Sequence, residues 1–434
     1  MSEITSFSRS VSDTTQSTES TISYELKPRE SEGGSQAWLT VFGSFLVYYS
    51  SFGIINSFGF FQDYYEQEFL AGTPYMTIAV IGTMQIALMN VLSSMSGALC
   101  DMYGFKWLYV GAGLGTSSTL FALSFIGQGR FWQVILCQGL LMGTAIAFGV
   151  QPALTVVGQH FKQRRALAIG FMLSGCSLGG VCFPIMLTKL LSSIGFAWAL
   201  RVAALKTIIF YTIATCISTP RNAKVAGSRT VWLSLFDYKG FLDRRYSVLA
   251  IGSCVAQLGV FIPSYYIESY RSNVYGPNTM RGYLVPLLNA GGMIGAVLGG
   301  LLGDHVGRLN VLSPTYLILG LCCLLLWHFE RTILALAIFA SVYGFFAGVF
   351  GTLLPTVVSQ ICPDEKLGAQ VGALYSLIAV ASLVGPPMGG SMIQEHNREG
   401  YQILIIYAGV ALIIGSLVTF VARLLHNRNL KAKW

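Results

Sequence analysis

The sequence predicts an all-α membrane protein, with twelve transmembrane helices arranged as two pseudo-symmetric six-helix bundles. Three observations carry this expectation. The 434 residues are 53% hydrophobic and 11% charged, whereas about a quarter of the residues of a soluble domain are charged, so water is not the solvent for most of this surface. Twelve apolar runs follow one another, each of about twenty residues and long enough to cross a hydrocarbon layer of ~30 Å as a helix. A short polar hairpin also occurs twice: Gly97-Ala98-Leu99-Cys100-Asp101-Met102-Tyr103-Gly104-Phe105-Lys106 and Gly300-Leu301-Leu302-Gly303-Asp304-His305-Val306-Gly307-Arg308 share a Gly-x-x-x-Asp-x-x-Gly core displaced by 203 residues. Thr155-Val156-Val157-Gly158-Gln159 likewise recurs as Thr356-Val357-Val358-Ser359-Gln360, and Pro184 falls opposite Pro387. A duplicated membrane-embedded half is the signature of a carrier that works by alternating access.

In chain order, residues 1–35 are rich in Ser, Thr and Glu and are expected to form a disordered cytosolic tail, with no cleavable signal peptide before the first span. Spans 1–6 are expected near 37–62, 76–99, 107–126, 131–156, 166–190 and 197–218, within a bundle covering 36–218. A basic linker, 219–245, leads to a second bundle, 246–424, with spans 7–12 near 246–267, 282–303, 309–328, 332–357, 367–391 and 401–423, and a short tail, 425–434, ends the chain. The tails, the linker and the loops on their side hold 19 Lys or Arg; the opposite loops hold six, Arg130, Lys189, Arg271, Arg281, Arg331 and Arg398. Both tails and both hairpins are therefore expected in the cytosol. The formal charge of +8 is spread thinly rather than gathered in a stripe, which argues against nucleic acid as a partner. The nine cysteines lack metal-ligand spacing and read as small core residues; no metal or cofactor is expected. Glycines are dense inside the spans, where they let helix backbones approach, and Pro386-Pro387 in span 11 are expected to bend or break that helix.

Charge is confined almost wholly to the span ends. The acids all fall in loops or at helix ends, so no carboxylate relay is expected in mid-membrane. The interior cations are Arg201 and Lys206 of span 6. Intramembrane charge is a functional candidate by default, and a long basic stem that snorkels to an interface is the alternative.

Over nearly the whole chain after the tail, the repeated hairpin resembles the best-known motif of the major facilitator superfamily. Within it, the chain is similar to the fungal branch of the monocarboxylate-porter family, through Glu32-Gly33-Gly34-Ser35-Gln36-Ala37-Trp38 before span 1 and Phe161-Lys162-Gln163-Arg164-Arg165-Ala166-Leu167-Ala168-Ile169-Gly170 leading into span 5. Two departures stand out. The Asp and Arg that vertebrate members carry in span 8 for proton-coupled carboxylate transport align with Gly292 and Ala296, and the usual basic residue after the first hairpin Asp is Met102.

The resemblance and the repeat imply gating residues: Gly97, Asp101, Gly104 and Lys106 in one hairpin, and Gly300, Asp304, Gly307 and Arg308 in the other. Asp101 is expected to face the start of span 11 near Lys366, and Asp304 the start of span 5 near Arg164 and Arg165. The superfamily's central cavity is lined mainly by spans 1, 4, 7 and 10. Those spans offer Tyr48, Asn56, Gln138, Gln151, Gln257, Tyr265 and Tyr343, with Asn289 of span 8 able to join them. Such an uncharged, aromatic set suits an amphipathic or ring-bearing organic solute; bonding between helices is the alternative role for each residue.

The expected protein is thus not an enzyme but a secondary carrier of a small organic solute, monomeric in the lipid bilayer of the plasma membrane, with proton or ion coupling possible in principle. Efflux of a secondary metabolite is the first reading. Uptake of monocarboxylates or a vitamin-like nutrient is the second, and a non-transporting solute sensor is the alternative of another class.

Overall fold

The computed structural model describes residues 33–70, 72–73, 75–220, 238–276, 279–280, 282–361, 367–393 and 397–426. The expectations for the N-terminal tail, the middle of the linker, Lys366 and residues 427–434 lie outside these. The helices are span 1, Ser35–Gln62; span 2, a pair Val80–Val91 and Ser93–Tyr103 bent by 42°; span 3, Lys106–Leu123; span 4, Phe131–His160; span 5, Arg165–Ile194; span 6, Phe196–Ile217; span 7, Arg244–Tyr275; span 8, Leu284–Val306; span 9, Arg308–Trp327; span 10, Ile333–Ile361; span 11, Gly368–Ser391; and span 12, Gln402–His426. Helices are what these runs must form, because in hydrocarbon every backbone N–H and C=O has to be bonded within its own segment. Their outward faces carry large apolar side chains, Trp198, Leu205, Leu298 and Leu417 among them, a sheath suited to lipid rather than water.

Packing reproduces the duplication. Span 3 lies on span 6 as span 9 lies on span 12, and span 1 lies on span 6 as span 7 lies on span 12. The two sets of six meet along span 5 against span 8 and along span 2 against span 11, two contacts that the repeat itself interchanges.

Three features differ from the sequence reading or add to it. Both hairpin carboxylates lie on helix, since span 2 runs to Tyr103 and span 8 to Val306, and the turns contract to Gly104 and Gly307. These glycines have φ of 81° and 113°, where a β-carbon would be strained. Span 11 continues unbroken through Pro386 and Pro387; the prolines sit in its last two turns, and the Tyr266 hydroxyl donates to the Pro386 carbonyl at 2.7 Å. Conversely, spans 1 and 7 are interrupted at Ser57 and Phe261, 204 residues apart. Pro263 follows the second interruption and lacks the donor a continuous helix would need.

Candidate functional site

The end of the molecule carrying the two hairpins is closed by backbone-to-backbone contact. A β-carbon on Gly97 would collide with the Gly368 carbonyl, and one on Gly300 with the Ala166 carbonyl, so glycine at both places lets the halves touch. Asp304 accepts from the backbone N–H groups of Ala166 at 3.2 Å and Leu167 at 2.9 Å. These are orphan donors in the first turn of span 5, where the helix dipole also favours an anion. Arg308 pairs with the same carboxylate at 2.9 Å and donates across the interface to the Lys162 carbonyl at 3.0 Å. Asp101 makes the matching contact with the Ala369 N–H of span 11 at 3.3 Å, but its Oδ1 is buried with no partner among the described residues.

Asp304 thus meets the start of span 5 beside Arg165, whose guanidinium donates to the Phe161 carbonyl at 2.7 Å and across the interface to the Ser359 carbonyl at 2.8 Å. Arg164 and Lys106 are exposed. Thr155 and Gly158 of one repeat meet Ser359 of the other around a void of about 10 Å³, room for no more than a water. A solute cannot pass this end in this state.

At the far end the described ring contacts of the outer segments run within each half. Beyond Ser57, Tyr64 stacks on Phe196 at 4.3 Å, and Tyr65 and Phe69 pack on the same ring. Beyond Phe261, Tyr270 packs edge-on against Trp327 and Tyr401. The hydroxyls of Tyr270 and Tyr275 both donate to Glu330, a buried carboxylate that Arg398 approaches at 3.5 Å. Each outer segment is thereby tied to its own half.

Midway between these ends, Asn56 of span 1 and Asn289 of span 8 converge on Gly180 of span 5; a β-carbon there would lie 2.8 Å from Asn56 Nδ2 and 3.0 Å from Asn289 Cγ. Their own bonds are weak or local. Asn56 Nδ2 reaches Cys176 Sγ at 3.9 Å, and Asn289 Nδ2 donates to the Val285 carbonyl at 3.1 Å. Tyr48 stacks on Phe52 at 5.2 Å and lies near Tyr375 of span 11.

The remaining cavity candidates are held elsewhere. Gln138 is enclosed in the first half and accepts from Tyr65. Gln151 donates to the Gly368 carbonyl at 3.3 Å, inside the closed end. Gln257 donates to Ser382 at 3.2 Å. Tyr343 donates to the Val260 carbonyl at 2.8 Å, beside the interruption of span 7. Tyr265 is partly exposed, edge-on to Phe261 at 6.4 Å. At the aligned positions a β-carbon on Gly292 would lie 3.1 Å from Ser177 Oγ, and Ala296 is buried.

The two interior cations differ in kind. Arg201 lies near the start of span 6, stacked at 4.7 Å on Trp198 and 4.9 Å on Phe125, and donates to Ser124 at the end of span 3. That is an interfacial anchor at a helix C-terminus. Lys206 stays in mid-span, with its ammonium 2.7 Å from the Tyr49 hydroxyl and 4.0 Å from the centre of the Phe183 ring.

The family model of the Major Facilitator Superfamily matches residues 39–332 and 287–433. This chain belongs to that superfamily. Among its relatives, the MFS-type transporter pynF of Aspergillus niger is 32% identical over 90% of this chain and 88% of its own. The agnestins efflux protein AgnL12 of Paecilomyces divaricatus is 32% identical over 94% and 92%, and the fujikurins efflux protein of Gibberella fujikuroi is 30% identical over 91% and 84%. A solved structure, the human organic anion transporter MFSD10, shares the fold with a TM-score of 0.68 at 15% identity, covering 88% of this chain and 98% of that one.

As a Major Facilitator Superfamily member, the chain is a multi-pass membrane transporter with the superfamily's twelve-helix fold. Sequence reasoning missed the burial of Glu330, and also Arg423, which is enclosed in span 12 and donates to Asn310. Two tyrosines five residues apart at the end of span 7 were the available signal for a buried acid nearby. Arg423 gave no signal beyond its place at the end of a span.

Proposed function

We propose that this transporter exports a small, ring-bearing, uncharged or weakly charged organic product of the cell's secondary metabolism. The observation that carries the reading is the mid-depth convergence of Asn56 and Asn289 on Gly180. Two carboxamides from opposite halves with little else to bond offer donors and acceptors to a solute, and Tyr48 and Tyr375 supply aromatic faces nearby. The names of the agnestins and fujikurins exporters support the direction and the class of cargo. With the hairpins on the cytosolic side, as the distribution of basic residues argues, the closed end faces the cytosol and the chamber faces outward. The halves 36–218 and 246–424 then rock about the Asn56/Asn289 level, in the plasma membrane and as a monomer. Asp101 and Asp304 act as the latches of the cytosolic gate. Metabolite profiling inside and outside cells with and without the gene tests the reading: the product accumulates inside the deletion strain. Loss of uptake of an external nutrient, with no retained product, refutes export.

A further inference from the structure

Arg201 is the sixth residue of span 6, about 7.5 Å along the helix from its first, and its stem leans toward that end because helical side chains point back to the N-terminus. Its Nε–H donates at 3.2 Å to the hydroxyl of Ser124, which follows directly on Leu123, the last residue of span 3. Span 3 starts from the first hairpin, so about 27 Å of helix lies between that hairpin and this contact. Such a length is close to the thickness of a hydrocarbon layer. The guanidinium therefore sits at the headgroup level of the leaflet away from the hairpins.

Rings enclose it there. Its central carbon lies 4.7 Å from the centre of Trp198, 4.9 Å from Phe125 and 5.9 Å from Phe121, and these rings are themselves 58%, 65% and 50% exposed. The Ser124 hydroxyl donates to the Phe121 carbonyl at 2.6 Å and so can only accept from Arg201, which fixes the edge of the guanidinium that faces the protein. The opposite edge is unused. Nη1 and Nη2 have no acceptor among the described residues, and no carboxylate there pairs with the charge. The repeat does not account for this cation either, since span 12, the counterpart of span 6, has no Lys or Arg from Gln402 to Ala422.

A planar fork of free donors, walled by exposed rings at headgroup depth, calls for anionic oxygens supplied from outside the protein. A phosphate matches the fork in charge and in bidentate geometry. Leu205 and Ile209, one and two turns deeper on the same helical face, are 60% and 46% exposed and continue the site as an apolar stripe. We propose that Arg201, Trp198 and Phe125 form a binding site for the phosphodiester of one membrane phospholipid, whose acyl chain lies along Leu205 and Ile209. Ser124 is a positioning residue that aims the fork. The site does not depend on which solute is carried or in which direction.

Native mass spectrometry of the full-length protein, delipidated in detergent, tests this with dioleoylphosphatidylglycerol, whose only charge is its phosphodiester. The wild type takes up one molecule more tightly than those that follow. Arg201→Leu weakens this first step roughly tenfold or more. Arg201→Lys, which keeps the charge but not the fork, is intermediate, and Trp198→Leu also weakens it. Dioleoylglycerol, with the same chains and no phosphate, shows no tight first step. A wild type without that step, an unchanged step in Arg201→Leu, or an equal affinity for dioleoylglycerol overturns the proposal. Inorganic phosphate that binds as tightly as the lipid overturns it too, by showing a site for a free anion. If Arg201→Leu does not fold, Arg201→Lys and Trp198→Leu decide, and an unchanged first affinity in both overturns the assignment.

Discussion

Asp304→Asn tests the gate most directly, and the geometry sets its size. The Asp304–Arg308 pair lies within one half and survives opening, so only bonds that cross the interface distinguish closed from open. For the Asp304 carboxylate those are the bonds from the N–H groups of Ala166 and Leu167, at 3.2 and 2.9 Å. A hydrogen bond to a charged acceptor contributes about 1.5–3 kcal/mol. Asparagine can still accept one of the two as a neutral group, but turns its NH₂ toward the other donor. The closed state then loses about 3 kcal/mol, and the ratio of closed to open falls roughly 100-fold. Asp101→Asn removes charge from a single longer contact, the Ala369 N–H at 3.3 Å; its effect is about 1 kcal/mol, roughly fivefold. Distances between nitroxides at Arg164 and His305 in a cysteine-free background read both populations. Equal opening by the two variants, or none by either, would refute the reasoning that the latches are unequal.

Further outcomes follow from the other contacts. Gly300→Val and Gly97→Val each place side-chain carbons against a backbone carbonyl, so both insert normally but hold the hairpin end open; labelling of that end by a membrane-impermeant maleimide should rise, and unchanged protection counts against the glycine contact. Asn56→Leu and Asn289→Leu are expected to cut product export at least several-fold at normal surface expression, whereas full export by both would move the solute site elsewhere. Glu330→Leu leaves the hydroxyls of Tyr270 and Tyr275 without their acceptor, at a cost of about 3 kcal/mol, and should lower the melting midpoint of the purified protein, with Glu330→Gln intermediate; an unchanged midpoint would show that the outer end of span 7 does not depend on this carboxylate.

What could be read from the chain alone was depth, and what could not was direction around each helix. Span ends are marked by polarity, so helices such as Phe196–Ile217 and Gln402–His426 fall within a few residues of expectation. The repeat located both hairpins because Asp and Gly recur at fixed spacing. The cavity residues were harder. A span that is apolar all round gives no hydrophobic face to orient it, and Gln138, Gln257 and Tyr343 are at plausible heights yet bond within their own halves. Asn289 belongs to span 8, outside the four spans that line the superfamily's cavity, yet stands at the convergence with Asn56. Glu330 reads as a loop residue in one dimension. Its burial depends on Tyr270, Tyr275 and Arg398, which come from other segments, and no local pattern announces that meeting.

The matched interruptions at Ser57 and Phe261 bear on how a lid could form. A helix pivots most cheaply where its ladder is already missing rungs, and here the missing rungs lie at one level in both repeats. The outer thirds of spans 1 and 7 can lean inward over a bound guest while their roots stay anchored, sacrificing no backbone bond in the process. Duplication has thus preserved, besides a pair of locks, a pair of wrists.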